Sequence, residues 1–253
     1  MTPPDRTKLG LKPTTTACLF DLDGVLTQTA AVHAQAWKEM FDAFLQQRAA
    51  KTGEGFVPFD PIKDYDEYVD GKPRSDGVRS FLASRRITLP EGAEGDPPEL
   101  DTIHGLGNRK DQIFLRHIHQ HGVQTYEGSV LYVRAARRAG LKVAVVSSSK
   151  NTTEVLRAAQ IDDLFDAQVD GNVAEREQLR GKPAPDTYLQ AARFLDAAAS
   201  DAAVYEDALA GVEAGRAGGF GLVVGVDRVG QSDALYAHGA DIVVKDLAEL
   251  MAA

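Results

Sequence analysis

The chain has 253 residues and 43% hydrophobic content, which is enough to bury one large core or two modest ones. Its formal net charge of -9 argues against an extended basic surface for nucleic acid or anionic lipid, but it leaves room for a local cationic pocket that binds a small anion. The single cysteine, Cys18, lies in an apolar run and can form no internal disulfide, so we expect a core side chain and a reducing compartment.

The first stretch, MTPPDRTKLGLKPTTT, lacks the apolar centre of a signal peptide, and we expect residues 1–13 to form an N-terminal tail. No later stretch approaches the run of about 18 apolar residues that a membrane span needs. We therefore expect a cytoplasmic protein that binds neither membrane nor nucleic acid.

Short apolar or β-branched runs recur along the chain and predict buried parallel strands. They are ACLF (17–20), KVAVVS (142–147), AAVYE (202–206), GLVVGV (221–226) and DIVV (241–244). Helical patterns alternate with them, such as VLYVRAARRAG (130–140), closed by Gly140, and PDTYLQAARFLDAA (185–198), opened by Pro185. This alternation predicts an α/β fold with a doubly wound parallel sheet.

The segment between the first strand and the others has a different character. It contains helical stretches, HAQAWKEMFDAFLQQRA, GVRSFLASR and RKDQIFLRHIHQHG, and two polar interruptions, KTGEGFVPFDPIKDYD and ITLPEGAEGDPPEL. No strand is predicted there. We therefore predict an inserted helical domain at 33–125 and an α/β core domain made of 14–32 and 126–253.

Asp21 and Asp23 directly follow the first strand, and Gly24 follows them. Ligands of doubly wound sheets bind outside the carboxyl ends of the strands, where these residues stand. One carboxylate and a backbone carbonyl could bind a hard cation such as Mg²⁺, which would leave the other carboxylate to transfer protons. The alternative is a plain polar turn, since Asp and Gly are common turn residues.

Three later motifs each lie at the end of a predicted strand or the start of a predicted helix. SSSKN (147–151) offers hydroxyls and backbone N–H groups to a phosphate, or is only a helix N-cap. Lys182 in KPAPD follows the polar stretch AEREQLRG, which we expect to be a loop. Two prolines after Lys182 stiffen the segment that holds its ammonium, but a solvated surface lysine is the alternative. Glu206 and Asp207 stand at the end of another predicted strand. Two adjacent carboxylates repel each other there, which costs free energy unless a cation or another partner neutralises their charge.

The order DLDGVLT, VVSSSKN, KPAPD and YEDALAGVEAG resembles the four motifs of the haloacid dehalogenase-type phosphotransferase superfamily. Within it the chain is most similar to the β-phosphoglucomutase-like family, because DLDGVLTQTAAVHAQAWK also carries the threonine, histidine and tryptophan that follow the paired aspartates. The resemblance implies a HAD-like Rossmannoid core with an inserted helical cap domain. It further implies that Asp21 is the nucleophile that forms an aspartyl-phosphate, and that Asp23 is the general acid/base.

The resemblance also implies a cofactor and roles for the remaining residues. Mg²⁺ is expected at Asp21, the Asp23 carbonyl and Asp207, with Glu206 in support. Further catalytic roles are expected for Lys182 and Ser147, which would hold the transferring phosphoryl group, and for Thr29 and His33. His33 would assist Asp23, although it could also be a packed histidine.

In the family's cap loop, similar to GKPRSDGV (71–78), an arginine, here Arg74, grips the substrate's non-transferring phosphate. Further substrate contacts are implied for Gly71, Trp37, Lys110, Ser149, Lys150 and Asn151. Asp70 stands where relatives often carry a basic residue, and the two polar interruptions enlarge the cap. Both departures concern substrate detail and leave the core chemistry unaffected.

Three functions remain open on these grounds. A mutase would interconvert β-D-glucose 1-phosphate and glucose 6-phosphate through glucose 1,6-bisphosphate, whereas a phosphatase would pass the same aspartyl-phosphate to water. A catalytically silent sugar-phosphate-binding module is the third. The cap residues favour the mutase, for which we expect a monomer acting on a small sugar phosphate. HIHQH (117–121) could suggest a metal cluster, but only His117 and His121 share a helix face, so a solvated surface is expected.

Overall fold

The structure is a computed structural model that describes residues 6–251. The first five residues of the predicted tail and the last two residues of the predicted core domain lie outside this range. The chain divides into two compact units. The core unit runs to residue 28 and resumes at 123, and the inserted unit spans 29–122.

The core unit contains a single six-stranded sheet in which every described pair of neighbouring strands is parallel. The strands are β1 (Ala17–Phe20), β2 (Lys142–Val146), β3 (Ala167–Val169), β4 (Ala202–Glu206), β5 (Leu222–Val226) and β6 (Ile242–Val244). Their order is β3-β2-β1-β4-β5-β6, so the predicted doubly wound parallel sheet is confirmed. β3 was not predicted, because its three residues include only one fully buried position and no β-branched run.

The register of the sheet explains why its motifs converge. Phe20, the last residue of β1, pairs with Val145 on one side and with Tyr205 on the other. The carboxyl ends of β1, β2 and β4 therefore lie next to one another at one edge of the sheet, on either side of the point where the strand order reverses.

The α-helices of the described chain are, in order, α1 (Ala30–Thr52), α2 (Arg74–Ser84), α3 (Ile103–His121), α4 (Glu127–Arg138), α5 (Thr152–Ala158), α6 (Gly171–Arg176), α7 (Asp186–Phe194), α8 (Leu209–Ala217) and α9 (Ser232–Ala237). The stretch AEREQLRG is not wholly a loop, because its first three residues belong to α6. The Asp170 carboxylate caps this helix by accepting the Val173 N–H at 2.8 Å.

The predicted N-terminal tail packs on the core unit from residue 6 onward. Leu9 and Leu11 are buried, and the Tyr132 hydroxyl donates a hydrogen bond to the Leu9 carbonyl at 2.7 Å. The Arg6 guanidinium donates to the Thr15 carbonyl at 2.6 Å. These contacts anchor the described part of the segment.

The inserted unit is helical, as the sequence predicts, and its core is aromatic. Trp37 and Phe41 of α1 stack with ring centroids 5.3 Å apart, and Phe81 of α2 lies 4.1 Å from Phe41. Phe59, from the first polar interruption, is buried against both phenylalanines. That interruption therefore supplies part of the core. No helix within residues 6–251 has the length and apolar character needed to cross a bilayer.

Candidate active site

The turn after β1 holds the two predicted aspartates at the carboxyl end of a central strand. The Asp21 N–H donates to the Tyr205 carbonyl at 2.9 Å, which extends the pairing of β1 with β4. The Leu22 carbonyl accepts the Thr27 N–H at 2.9 Å and closes a tight loop. Gly24 lies inside this loop with φ +90°, a conformation that side-chain-bearing residues rarely adopt.

The turns after β1 and β4 approach each other at Gly24. A Cβ atom built on Gly24 would lie 1.8 Å from Asp207 Oδ2, so only a residue without a side chain leaves room for this carboxylate. Asp207 thus lies against the turn that carries Asp21.

Lys182 lies between two carboxylates in the interior of the core unit. Its Nζ is 2.5 Å from Asp21 Oδ1 and also donates a hydrogen bond to Glu206 Oε1. Lys182 is 3% exposed, which excludes the surface-lysine alternative. Burial lowers the pKa of this ammonium, but Asp21 and Glu206 more than offset that effect and the net shift is upward, so Lys182 is charged.

The Glu206 carboxylate is held on both oxygens. Oε1 accepts the Tyr188 hydroxyl at 3.0 Å in addition to the lysine, and Oε2 accepts the Ala208 N–H at 3.0 Å. A Cβ atom on Gly211 would lie 1.8 Å from Oε1, so α8 packs against the carboxylate through a glycine. Glu206 is therefore the fixed counter-ion of Lys182.

Asp21, Glu206 and Asp207 form the only group of three or more metal-binding side chains within residues 6–251 whose ligand atoms lie close enough to share an ion, all within 4.8 Å of one another. Burial raises the pKa of Asp21 well above its usual range, because the single nearby ammonium of Lys182 does not offset the combined effect of burial and of the neighbouring carboxylates. A bound cation would supply the missing positive charge. An all-oxygen donor set of this kind fits a hard divalent cation. HIHQH contributes no such group within the described chain, and His117 instead contacts Glu39 at 3.3 Å.

The structure brings Asp23 and Ser147 together. The Ser147 hydroxyl donates to Asp23 Oδ2 at 3.5 Å and accepts the Ser149 N–H at 3.1 Å. Ser147 is buried at the end of β2, and its own N–H bonds the Val169 carbonyl at 3.0 Å. The serine hydroxyl is thus fixed beside the predicted general acid/base.

The rest of SSSKN forms a hydrogen-bonded turn before α5. The Ser149 hydroxyl accepts the Asn151 N–H at 3.1 Å, and the Ser149 carbonyl accepts the Thr152 hydroxyl at 2.9 Å. The Lys150 ammonium is paired with Glu175 at 2.8 Å. Asn151 precedes α5 but makes no side-chain capping hydrogen bond, so the motif is a turn closed by its own hydrogen bonds, which also presents the Ser147 hydroxyl.

Buried Lys110 and half-buried His33 form a pair in the inserted unit. Lys110 Nζ lies 2.5 Å from His33 Nδ1, and it also lies over the rings of Trp37 and Phe114 at 5.1 and 4.9 Å. Since an ammonium only donates, Nδ1 is the acceptor and the proton of the neutral imidazole is assigned to Nε2. His33 is therefore both packed, with its ring stacked 4.0 Å from Phe114, and held in one tautomer.

Arg74 also lies in the inserted unit, at the start of α2. Its guanidinium pairs with Asp111 at 2.5 Å and donates to Asn108 Oδ1 at 3.1 Å. Gly71 precedes it with φ +67°. Thr29 is buried just before α1 and accepts the His33 N–H through its carbonyl at 2.8 Å.

Two groups of side chains near these motifs were not predicted from the sequence. Tyr188 lies two residues after KPAPD and contacts Glu206. The turn after β5 supplies Arg228 and Gln231, which donate to the carbonyls of Gly24 and Asp207. DRVGQ directly follows the predicted strand GLVVGV, as Asp21 and SSSKN follow theirs, and this place at a strand end would have identified the turn.

Comparisons with known proteins agree with this architecture. A family model described as haloacid dehalogenase-like hydrolase matches residues 15–219. The β-phosphoglucomutase of Mycobacterium bovis is 54% identical over 246 residues, covering 96% of this chain and 94% of that protein.

Solved structures show the same fold. β-Phosphoglucomutase from Clostridium difficile has a TM-score of 0.72 at 24% identity, with 93% of each chain covered. CbbY from Rhodobacter sphaeroides, solved as a mutant in complex with xylulose-(1,5)bisphosphate, has a TM-score of 0.69 at 24% identity, covering 93% of this chain and 96% of that one. The chain belongs to the haloacid dehalogenase-like hydrolase family, within which it groups with proteins named β-phosphoglucomutase.

Proposed function

We propose that the protein is a Mg²⁺-dependent β-phosphoglucomutase, which interconverts β-D-glucose 1-phosphate and glucose 6-phosphate. The observation that carries the proposal is the buried contact of Lys182 with Asp21, beside the carboxylates of Glu206 and Asp207. The name of the 54% identical relative supports the choice of substrate.

The chemistry assigned to the core unit is a reversible phosphoryl transfer. An Asp21 oxygen attacks phosphorus as the bond to the sugar oxygen breaks, and the product is an aspartyl-phosphate. Asp23 gives a proton to the departing sugar oxygen and takes one from the hydroxyl that attacks in the reverse step. Lys182 and Ser147 hold the phosphoryl oxygens, and positioning of this kind supplies most of the acceleration in phosphoryl transfer.

The mutase cycle uses this transfer twice. Phosphorylated Asp21 passes its phosphoryl group to the C6 hydroxyl of β-glucose 1-phosphate, and glucose 1,6-bisphosphate forms. After the bisphosphate has turned around, Asp21 accepts the C1 phosphoryl group and glucose 6-phosphate leaves. The phosphorylated enzyme is regenerated, so the cycle consumes neither phosphate nor water.

Mg²⁺ would be held by Asp21, the Asp23 carbonyl and Asp207, with Glu206 in support through Lys182. When bound, it neutralises charge on the transferring phosphoryl group. The fit rests on the net negative charge of the carboxylate cluster and on the space that Gly24 leaves for Asp207.

The inserted unit is assigned the role of the family's cap. Arg74 would bind the non-transferring phosphate, and His33 and Thr29 would assist Asp23. The remaining substrate contacts are assigned to Gly71, Trp37, Lys110, Ser149, Lys150 and Asn151. Arg74 and Lys110 already face acceptors within this unit, Asp111 and His33, so each cation is oriented before a substrate binds. We further propose a cytoplasmic monomer whose partner is the sugar phosphate.

A ³¹P NMR time course tests the proposal. The sample contains protein, β-glucose 1-phosphate, Mg²⁺ and a trace of glucose 1,6-bisphosphate. Growth of glucose 6-phosphate without matching inorganic phosphate is the expected result. Inorganic phosphate as the main product would show that the protein is a phosphatase and not a mutase. An Asp21→Asn variant that retained turnover would refute the aspartyl-phosphate intermediate in either case.

A further inference from the structure

The turn between β5 and α9 contacts both carboxylate-bearing turns of the candidate site. It comprises residues 227–231, DRVGQ, and is called the β5 turn below. It contributes no member to the carboxylate cluster of Asp21, Glu206 and Asp207 found in the described chain. Any effect on that cluster must therefore pass through the backbone that the β5 turn holds.

Arg228 holds the turn after β1. Its Nε donates to the Gly24 carbonyl at 2.8 Å and its Nη2 to the Val25 carbonyl at 3.3 Å. Nη1 donates to the Lys245 carbonyl at 2.6 Å, just after β6, and the guanidinium carbon lies 3.5 Å from the centroid of the Tyr126 ring. The planar guanidinium thus joins the turn after β1 to the segment after the edge strand β6 through three different nitrogens, whereas a lysine offers a single nitrogen.

Gln231 holds the turn after β4. Its Nε2 donates to the Asp207 carbonyl at 3.1 Å. The β5 turn is itself fixed, because Asp227 accepts the N–H groups of Gly230 and Gln231 at 2.7 and 2.8 Å and the Ser232 hydroxyl at 2.8 Å. Arg228 and Gln231 therefore extend from one rigid segment.

The two backbones held in this way are those that meet in the site. A Cβ atom on Gly24 would lie 1.8 Å from Asp207 Oδ2, so the two turns are in close contact. A change in their separation therefore changes the place of that carboxylate relative to Asp21. We propose that Arg228 and Gln231 are positioning residues that together set the spacing of the Asp21 and Asp207 turns for the cation. The inference rests on the proposed function, in which those carboxylates share Mg²⁺.

Two near-isosteric substitutions test this role. Arg228→Lys keeps the charge and loses the fork, and Gln231→Met keeps the length and loses the donor. Arg137→Lys is the matched control, because Arg137 also donates to a backbone carbonyl, that of Asp163 at 2.6 Å, which lies outside the candidate site. The primary measurement is the affinity of the metal-free protein for Mn²⁺. It is determined by titration, with the electron paramagnetic resonance signal of free Mn²⁺ as the readout.

We expect each test variant to raise the Kd for Mn²⁺ by about tenfold, as loss of an outer-shell contact does in other metal sites. Arg137→Lys should bind as wild type does. Because both residues set one spacing, the double variant should lose less than the product of the two single losses. Thermal unfolding is followed in parallel, so that a general loss of stability is recognised.

Wild-type affinity for Mn²⁺ in both folded single variants would overturn the proposal, and so would losses that multiply fully in the double variant. If Arg228→Lys does not fold, Gln231→Met, which lacks one hydrogen bond, decides alone. Failure of the proposed function has a different readout: wild-type protein would bind Mn²⁺ but convert no β-glucose 1-phosphate. The affinity comparison requires no turnover, so it tests the positioning role independently.

Discussion

The Tyr188 hydroxyl donates a hydrogen bond to the Glu206 carboxylate at 3.0 Å, and the ring of the same tyrosine lies 5.0 Å from the Lys182 ammonium. All three side chains are buried. Tyr188 therefore contacts both members of the ion pair whose lysine is assigned to the transferring phosphoryl group.

Tyr188→Phe should slow catalysis with little effect on substrate binding. The ring and its contact with Lys182 remain, while Glu206 loses one of three donors and holds the lysine less firmly. We expect kcat to fall about tenfold, which corresponds to about 1.4 kcal/mol, with KM nearly unchanged. Steady-state kinetics on β-glucose 1-phosphate provide the measurement.

The matched control is Tyr132→Phe. Tyr132 is equally buried. Its hydroxyl donates to the Leu9 carbonyl at 2.7 Å and lies 2.8 Å from the Tyr205 hydroxyl, and neither contact involves Lys182 or Glu206. This variant should lose comparable stability and keep wild-type kcat. Equal kinetic losses in the two variants would show that Tyr188 has no specific role.

Lys182→Met should abolish turnover and destabilise the fold. It leaves the buried carboxylates of Asp21 and Glu206 without their ammonium, and removing one partner of a buried ion pair costs about 3–5 kcal/mol. Adding Glu206→Gln to this variant removes a buried carboxylate that has lost its counter-ion, so the double variant should recover stability but no activity. Urea unfolding in EDTA measures the loss of stability. A Lys182→Met variant as stable as wild type would contradict a charged buried pair.

The sequence predicts the sheet well because its strands are β-branched runs bounded by turn residues, as KVAVVS shows. It predicts the convergence of Asp21, Ser147 and Asp207 because parallel strands end at one edge. It cannot decide whether Lys182 is buried, because KPAPD is compatible with a surface loop as well. The sequence does not predict β3, because three residues are too few to show a periodic pattern. It does not predict the contacts of Tyr188 either, because an aromatic residue in a helix indicates packing but no particular partner for its hydroxyl.

Gly24→Ala should weaken metal binding more than it weakens the fold. The added methyl group would meet Asp207 Oδ2, and alanine would be strained at φ +90°. Relief of the clash requires the Asp207 side chain or one of the two turns to move, and either movement displaces this carboxylate from Asp21. We expect at least a tenfold higher Kd for Mn²⁺. Gly53→Ala, at φ +75° with nothing within 4 Å, reproduces the backbone strain alone and should bind Mn²⁺ as wild type does.

Asp23→Ala should abolish turnover and leave folding nearly intact. The side chain is not fully buried, and its contact with Ser147 is a long hydrogen bond of 3.5 Å, so little stability depends on that contact. Without this carboxyl group the sugar oxygen has no proton donor. Single-turnover assays and circular dichroism check the two halves of the prediction, and wild-type turnover would show that another group is the acid/base.

The Cys18 thiol should make the stability of the protein fall in alkaline solution. Burial raises the pKa of the thiol from an ordinary value of 9.0 to about 12, and the neighbouring Tyr205 hydroxyl at 3.6 Å does not offset this. The folded state keeps the proton while the unfolded state releases it, so the contribution of the thiol to stability is fully present below pH 9.0 and is lost as the pH rises from there toward 12.

Relative to Cys18→Ala, wild type should lose about 2 kcal/mol of unfolding free energy between pH 8 and about 10.5. Urea titrations of both proteins at the two pH values measure this difference. The other groups that titrate at alkaline pH are present in both proteins, so their contributions to the unfolding free energy cancel. Parallel pH dependence, or rapid reaction of the native thiol with a disulfide reagent at pH 8, would show that Cys18 is accessible to solvent.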